Sequence, residues 1–162
     1  TSRSSFRMSS SPPDLRFDFA TLDDLPALTG LLALLFTQEA DFLPDTEKQQ
    51  RALRMILEDR QRGCIYVARR ASEVIGMVST LYTVSTASGG QAAWLEDMVL
   101  LPDCRGQGIG AALLRHAICA ARDAGVLRLT LLTDPDNAAA QAIYAAEGFK
   151  FSPMQAMRLT LR

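Results

Sequence analysis

The sequence predicts a single domain of mixed α/β class, and three observations favour that class. The chain has 162 residues, which suits one domain with a hydrophobic core and leaves little room for a second. Apolar residues make up 48% of the chain and charged residues 22%, as in ordinary globular proteins. The apolar patterns predict strands and helices in the order β-α-α-β-β-β-α-β-α-β-β, and the sequence has no internal repeat.

The N-terminal part is predicted to contain a tail, a strand and two helices. Residues 1–14 are rich in Ser, Pro and Arg and hold almost no core material, so we expect a disordered tail before a domain over 15–162. Leu15–Phe19 alternates like a strand. A first helix, capped by one of the acids at 23 and 24, runs to about residue 36, and a loop follows at 41–45. Thr46 and Gln49 form a capping-box pattern for a second helix, which Gly63 is expected to end.

The remaining elements follow from apolar runs and turn residues. Three largely apolar runs, at 64–68, 74–82 and 94–100, are predicted to be strands. A helix with an apolar stripe begins at Ile109 and ends at Gly125, and alternating residues at 127–132 predict a strand. Asn137 caps a last helix over 138–147, and strands are expected at 149–151 and 157–161.

A glycine-rich loop over 105–110, with the sequence Arg-Gly-Gln-Gly-Ile-Gly, joins the strand at 94–100 to a helix. Gly106, Gly108 and Gly110 carry no side chain, so the backbone amides of this loop can approach a ligand closely. The helix that follows directs its unpaired N–H groups and its positive dipole end to the same place. This combination favours a phosphate or pyrophosphate, so the sequence predicts a nucleotide-like ligand.

Two nucleotide-binding patterns overlap in this loop. Gly106, Gly108 and Ala111 satisfy G-x-G-x-x-A, the fingerprint of dinucleotide-dependent oxidoreductases, with Asp134 in place of the acid that binds the ribose. Two features count against that pattern: residues 102–105 separate the strand from the first glycine, and only one βαβ unit is visible. A Walker-type phosphate loop is excluded, because G-x-x-x-x-G-K followed by Ser or Thr does not occur.

The second pattern is R-x-x-G-x-G, formed by Arg105, Gly108 and Gly110 after Glu-Asp-Met-Val-Leu-Leu-Pro. It closely resembles the acetyl-CoA loop of the GNAT superfamily of N-acetyltransferases. Residues 136–149 resemble that family's second cofactor segment, with Asn137, Tyr144 and a closing Gly-Phe pair. The resemblance covers roughly residues 15–161. It implies a mixed, mostly antiparallel central sheet flanked by helices, with a splayed strand pair that holds the cofactor.

The resemblance also implies direct transfer of an acetyl group from acetyl-CoA to a primary amine in a ternary complex. The residues expected to contact the cofactor are Met98, Val99, Leu100, Arg105, Gly106, Gln107, Gly108, Ile109, Gly110, Asn137 and Tyr144. An amide near Val99 would face the thioester oxygen, and Tyr144 would act as the general acid for the departing thiolate. Asn137 would cap its helix, contact the pantetheine arm, or do both.

The acceptor side needs a group that deals with a charged amine. An alkylamine has a pKa of about 10.4, so it is mostly protonated at neutral pH and cannot attack. Glu96 and Asp97 are adjacent on a strand and therefore point to opposite faces. Glu96, on the expected face of Trp94 and Met98, is favoured as the base or the amine-binding carboxylate. Phe42, Trp94 and Glu96 are expected to bind the acceptor, a small-molecule or peptide amine.

Composition sets the expected partners and compartment. A net charge of −1 gives no electrostatic case for nucleic acid, and no apolar run reaches the ~18 residues of a membrane span. The three cysteines lack metal-site spacing and the one histidine rules out a His-rich site, so we expect no metal and a reducing, cytoplasmic setting. The resemblance to the GNAT superfamily implies that the strand at 157–161 helps to form a homodimer. A non-catalytic acyl-CoA sensor with the same fold is the competing hypothesis.

Overall fold

The fold is a five-stranded sheet with helices, given by a computed structural model that describes residues 14–38 and 45–162. The elements in chain order are β1 (Leu15–Phe19), α1 (Leu25–Gln38), α2 (Thr46–Leu57), β2 (Gly63–Arg70), β3 (Glu73–Ser85), β4 (Gly90–Leu100), α3 (Ile109–Asp123), β5 (Leu129–Thr130) and α4 (Ala138–Ala146). The chain divides into two compact units, of which the first ends at Leu131 and the second is Leu132–Arg162.

The strands lie in the sheet in their chain order, β1-β2-β3-β4-β5. Neighbours from β1 to β4 are antiparallel, whereas β4 and β5 are parallel. The parallel pair requires a crossover, which α3 supplies, because a short turn cannot join two parallel neighbours. The expected mixed, mostly antiparallel sheet is therefore confirmed.

Helices cover both faces of the sheet in the first unit. On one face, α1 and α2 pack against a core cluster that consists of Leu25, Leu28, Leu31, Leu32, Leu53, Ile65, Val67, Val74, Met77 and Val99. On the other face lies α3, whose His116 contacts the ring of the buried Tyr66 edge-on with ring centres 5.7 Å apart. Tyr66 alternates with Ile65 and Val67 along β2, so it points away from the α1–α2 side. None of the helices in the described ranges combines the length and the apolar character that a membrane span requires.

Two predicted details of the N-terminal helices are wrong. The side chain of Asp45 caps α2 by accepting from the backbone amide of Lys48 at 3.2 Å, whereas Thr46 is already the first helical residue. An ionised carboxylate at the cap satisfies a helix N–H and also interacts favourably with the helix dipole. The helix ends at Leu57, and Gly63 begins β2 instead of closing α2.

The C-terminal strand predictions are also wrong, since no strand occurs in residues 149–162. Phe151, Met157, Leu159 and Leu161 are between 82% and 97% exposed. An alternating apolar pattern shows which side chains would share a face, but a strand forms only where a neighbour pairs with its backbone. β5 is shorter than predicted, at Leu129–Thr130, although Leu127 and Arg128 also form backbone hydrogen bonds with β4. All but the last residue of the expected tail at 1–14, and most of the expected loop at 41–45, lie outside the described residues.

Candidate active site

The glycine-rich loop follows β4 and a short 3-10 turn at Pro102–Cys104, and it leads directly into α3. Gly106 and Gly108 have φ angles of 73° and 79°, a left-handed conformation in which glycine is not strained. A Cβ added to either residue would meet no atom within 4 Å. The glycines are therefore required by the backbone conformation, and the space beside them is open to a ligand.

The amides of this loop are available to an anion. The amides of Gly106, Gln107 and Gly108 donate no backbone hydrogen bond to any residue in the described ranges. Gly108 is the N-cap of α3, a helix of 15 residues whose first N–H groups face the same loop. Ile109 and Gly110 are buried and fix the first turn of α3 in the core. Unpaired amides at a helix N-terminus form a suitable site for a phosphate group.

Two polar side chains of the loop differ in their surroundings. Arg105 is exposed, so its guanidinium can reach a bound anion. Gln107, by contrast, is tied to the protein: its Nε2 donates to the carbonyl oxygen of Asp103 at 2.9 Å, and its Oε1 accepts from Nη2 of Arg70 at 2.9 Å. The contact with Arg70 joins the loop to the end of β2. The sequence gives no signal for that contact, because the two residues are 37 positions apart.

A β-bulge interrupts β4 beside this loop. Glu96 pairs with Ser79 of β3, and Val99 pairs with Met77, so β4 has two residues where β3 has one. The first of the two, Asp97, has a φ angle of 54°, which is uncommon for residues other than glycine, asparagine and aspartate. Bulges bend a strand and redirect its side chains, and they are frequent next to active sites.

The bulge changes which side chains of β4 share a face. Glu96 lies on the face of Trp94 and, beyond the bulge, of Val99. The expectation that Glu96 shares its face with Met98 is therefore wrong, because the extra residue shifts the alternation by one position. Val99 belongs to the core cluster beneath α1 and α2. The exposed side chains of Trp94 and Glu96 thus lie on the α1–α2 side of the sheet.

Ser79 is a polar neighbour of Glu96 that the sequence analysis did not identify. Its side chain is only 1% exposed, and its Oγ has no hydrogen-bond partner among residues 14–38 and 45–162. Directly paired residues of antiparallel strands have Cβ atoms about 5 Å apart, so this hydroxyl lies close to the Glu96 side chain. Phe42, the third residue predicted to bind the acceptor, lies outside the described residues.

Pairing between β4 and β5 covers only a short part of β4. Ala93 pairs with Leu129 and Trp94 with Thr130, and no residue of β5 pairs with β4 beyond Trp94. The end of β4, which contains Met98, Val99 and Leu100, therefore has no pairing with β5. The splayed strand pair that the resemblance implies stays a prediction.

In the second unit, α4 carries Asn137 and Tyr144. The Oδ1 of Asn137 accepts from the backbone amide of Ala140 at 3.1 Å, so Asn137 caps the helix as predicted. The two residues lie about 10 Å apart along the helix and on similar faces. The ring of Tyr144 contacts that of Phe149 edge-on at 5.9 Å, and burial raises the pKa of the Tyr144 phenol above its usual value.

His116 and Cys104, the remaining candidate residues, pack against other parts of the protein. His116 stacks on Phe17 with ring centres 5.7 Å apart, in addition to its contact with Tyr66. Over the ranges that the structure describes, no group of three or more histidine, cysteine, aspartate or glutamate residues is arranged to hold a metal ion. Cys104, beside the loop, is buried. Glu96 and the loop amides therefore remain the candidate groups of the first unit, and Tyr144 remains the candidate of the second.

Residues 29–149 match the model of the acetyltransferase (GNAT) family. Three similar curated proteins bear N-acetyltransferase names. An uncharacterised N-acetyltransferase of Bacillus subtilis is 30% identical over 122 residues, 74% of this chain and 81% of that protein. Another, of Mycobacterium tuberculosis, is 32% identical over 98 residues, and the match spans 60% of the length of each. The aminoalkylphosphonate N-acetyltransferase of Salmonella typhimurium is 35% identical over 86 residues, 53% of this chain and 56% of that protein.

Solved structures share the fold over most of the chain. An integron cassette protein from a salt-marsh metagenome is 26% identical with a TM-score of 0.79, covering 90% of both chains. A protein of Clostridium acetobutylicum described as a predicted acetyltransferase, solved with acetyl-CoA, has a TM-score of 0.74 and 15% identity, covering 91% of this chain and 97% of that one. At that identity, the second similarity concerns the fold alone.

Proposed function

Since the chain belongs to the GNAT family of acetyltransferases, we propose that it transfers an acetyl group from acetyl-CoA to a primary amine. The observation that carries the proposal is the set of loop amides at Gly106, Gln107 and Gly108, which have no backbone acceptor among the described residues and precede α3. The family match runs from residue 29 to residue 149, which supports one acetyltransferase domain over 15–162.

On the cofactor side, we propose that the loop amides bind the pyrophosphate of acetyl-CoA and that Arg105 adds a positive charge. The end of β4, from Met98 to Leu100, would give backbone hydrogen bonds to the pantetheine arm, because β5 does not pair with it. An amide near Val99 would stabilise the oxyanion that forms when the amine attacks the thioester. Acetyl-CoA in the Clostridium acetobutylicum structure supports this choice of donor.

On the acceptor side, we propose that Glu96 accepts a proton from the amine, directly or through water. The charged amine cannot attack until it loses that proton. Glu96 is exposed, and the exposed Trp94 on the same face would bind the carbon chain of the acceptor. Phe42 remains a predicted acceptor residue.

For the leaving thiolate, we propose Tyr144 as the proton donor, with Asn137 as a pantetheine contact. A raised pKa keeps the phenol of Tyr144 protonated at neutral pH, which is the state that a general acid needs. Both residues fit the second cofactor segment of the family. The capping bond of Asn137 uses its oxygen, so the amide N–H groups of its side chain can still donate to a ligand.

A dinucleotide-dependent oxidoreductase is disfavoured by the sheet. Dinucleotide-binding folds have a mostly parallel sheet built from successive βαβ units. Here β1 to β4 are antiparallel, and the one parallel pair among the described strands is β4 with β5. The non-catalytic sensor has the same fold as the enzyme, so only turnover separates these two functions.

The first experiment is a calorimetric titration with acetyl-CoA, with NADPH as the control ligand. Saturable one-site binding of acetyl-CoA alone supports the proposed donor, and binding of NADPH alone would favour the oxidoreductase. A panel of primary amines, including an aminoalkylphosphonate because of the Salmonella relative, is then scored by release of the CoA thiol. Thiol release that depends on one class of amine supports the enzyme. Binding without release for any amine would favour the sensor.

We further propose a homodimer and a reducing compartment. The exposed apolar side chains of Met157, Leu159 and Leu161 support a dimer, because large exposed apolar patches commonly mark interfaces. Light scattering of the wild type and of a Leu159→Asp variant tests this, and a monomeric wild type would reject it.

The three cysteines are free, which favours the cytoplasm. The net charge of −1 gives no support for a nucleic-acid partner.

A further inference from the structure

The side chain of Gln107 has a hydrogen bond at each end of its amide. Nε2 donates to the carbonyl oxygen of Asp103, and Oε1 accepts from Arg70, each at 2.9 Å. The first bond closes a local turn within the loop, because the two residues are only four positions apart. The second bond reaches a different element, β2. The amide of Gln107 is therefore committed to the protein, and the part of this residue left for a ligand is its backbone N–H.

Arg70 is held firmly at the other end of this contact. It is the last residue of β2 and pairs with Leu15 of β1 and with Glu73 of β3. The turn that follows begins at Ala71, whose φ angle is 55° and whose amide donates to the carbonyl oxygen of Asp14 at 3.0 Å. The backbone of Arg70 is thus fixed on both sides by strand pairing. A guanidinium that extends from this position is a stable anchor for a loop.

The loop needs such an anchor because of its composition. Gly106 and Gly108 flank Gln107, and glycine has the largest backbone freedom in the unbound state. A ligand that binds the loop amides must overcome the entropy of ordering them, unless the protein has already ordered them. A charge-assisted hydrogen bond to Gln107 restrains the residue between the two glycines. It also leaves four of the five N–H donors of Arg70 for other contacts.

We propose that Arg70 is a positioning residue, which orders the phosphate-binding loop through Gln107 before the cofactor arrives. This inference rests on the proposed function and goes beyond it, because Arg70 lies outside both cofactor motifs. Arg70 acts on the backbone of the loop and makes no contact of its own with CoA. Its removal would therefore weaken the binding of any ligand that uses these amides, with little effect on the folded core.

The test is a double-mutant cycle on the dissociation constant of CoA, measured by calorimetry. Arg70→Met and Gln107→Ala should each weaken binding by about tenfold, and the double variant should bind no more weakly than the weaker single variant. Arg122→Met is the matched control, because Arg122 is exposed and lies about 20 Å further along α3 than Ile109. Its affinity for CoA should equal that of the wild type. Arg70→Lys should bind CoA more tightly than Arg70→Met, since lysine can still donate one hydrogen bond to Gln107.

Two further measurements separate positioning from direct contact and from misfolding. Dephospho-CoA retains the pyrophosphate, so Arg70→Met should weaken the affinity for it by the same factor as the affinity for CoA. A loss of affinity seen only with CoA would mean that Arg70 binds the 3′-phosphate. Backbone ¹⁵N order parameters of Gly106 and Gly108 in the ligand-free protein should be lower in Arg70→Met and unchanged in Arg122→Met. Equal CoA affinity of wild type and Arg70→Met, or strictly additive losses in the cycle, would overturn the inference. A wild type that binds no CoA would instead reject the proposed function, and the inference with it.

Discussion

Arg69 of β2 binds Asp24 through two parallel hydrogen bonds. Nη1 donates to Oδ1 at 2.7 Å, and Nη2 donates to Oδ2 at 2.8 Å. The two side chains are 16% and 9% exposed, so this ion pair is largely screened from water. The backbone amide of Thr21 donates to the same carboxylate at 2.8 Å. Because Asp24 directly precedes α1, the pair fixes the start of the first helix on the sheet.

This ion pair predicts a dependence of stability on pH. The Arg69 guanidinium holds the pKa of the Asp24 carboxyl below its usual value of about 3.9. The stabilisation is therefore complete above that usual value and is lost as the pH falls through the lower pKa of the folded state. We expect Asp24→Asn to reduce the free energy of unfolding by about 3 kcal/mol at pH 7, because it removes the bidentate carboxylate partner of the largely buried Arg69 and leaves only the single bond to Asp18. The loss should shrink below pH ~4.

Urea unfolding at a series of pH values measures this effect, and Asp18→Asn is the control. Asp18 also accepts from Arg69, but with one bond of 3.1 Å and a side chain that is 44% exposed. Its loss should therefore stay below about 1 kcal/mol. Equal losses for the two variants, or a difference that does not change with pH, would contradict the prediction.

Two glycine-to-alanine changes should alter stability in opposite directions. A methyl group at Gly76 would collide with the Leu100 side chain and lie 3.2 Å from the carbonyl oxygen of Val99, so Gly76→Ala should cost about 1–3 kcal/mol. Gly30 lies inside α1 with no atom within 4 Å of an added Cβ, so Gly30→Ala should gain about 0.5–1 kcal/mol. Chemical denaturation of both variants checks the signs. A Gly76→Ala protein as stable as the wild type would show that crowding at β4 is not what requires Gly76, and a destabilised Gly30→Ala protein would contradict the prediction for α1.

Gly76→Ala should also affect the site, because Leu100 and Val99 belong to the proposed pantetheine strand. We expect weaker binding of CoA by this variant and unchanged binding by Gly30→Ala, measured by calorimetry at a temperature where both are folded. Unchanged affinity in a destabilised Gly76→Ala protein would mean that the end of β4 takes no part in binding.

The parts of the fold and site that the sequence predicted are encoded locally. The glycine loop needs left-handed backbone at Gly106 and Gly108, and that requirement is visible in the residue types themselves. The cap at Asn137 and the apolar stripe of α3 depend on residues within four positions of each other. The order of strands β2 to β4 follows from short turns between apolar runs.

The parts that the sequence did not predict depend on contacts between distant segments. The bulge at Asp97 adds one residue to β4 relative to β3, and the sequence alone does not mark its position. The predicted face of Met98 was therefore wrong. The contacts of Arg69 with Asp24 and of Arg70 with Gln107 span 45 and 37 positions. The apolar alternation at 157–161 predicted a strand, but pairing requires a neighbouring backbone that the pattern cannot identify.

Glu96 is predicted to be needed for attack by the amine. Glu96→Gln keeps the size of the side chain but cannot accept the proton, so kcat/KM for the acceptor should fall by about 100-fold, while the dissociation constant of acetyl-CoA stays unchanged. Glu73→Gln makes the same chemical change at an exposed residue at the start of β3 and should leave turnover unaltered. Full activity of Glu96→Gln would remove Glu96 from the mechanism and would leave water as the proton acceptor.

Tyr144 is predicted to act in the collapse of the intermediate and not in binding. Tyr144→Phe removes the proton donor for the thiolate, so kcat should fall by about 100-fold with unchanged affinity for CoA. Tyr82→Phe is the matched control, because Tyr82 has no proposed role. The hydroxyl oxygen of Tyr82 lies 3.4 Å from Sγ of Cys64, and burial raises the pKa of the Tyr82 phenol to about 12. Thiols of lower pKa leave without help, so a thioester with a better leaving group should restore turnover to Tyr144→Phe alone. If both tyrosine variants lose the same activity, or if the better leaving group restores none of it, Tyr144 supports the structure of α4 and is not the acid.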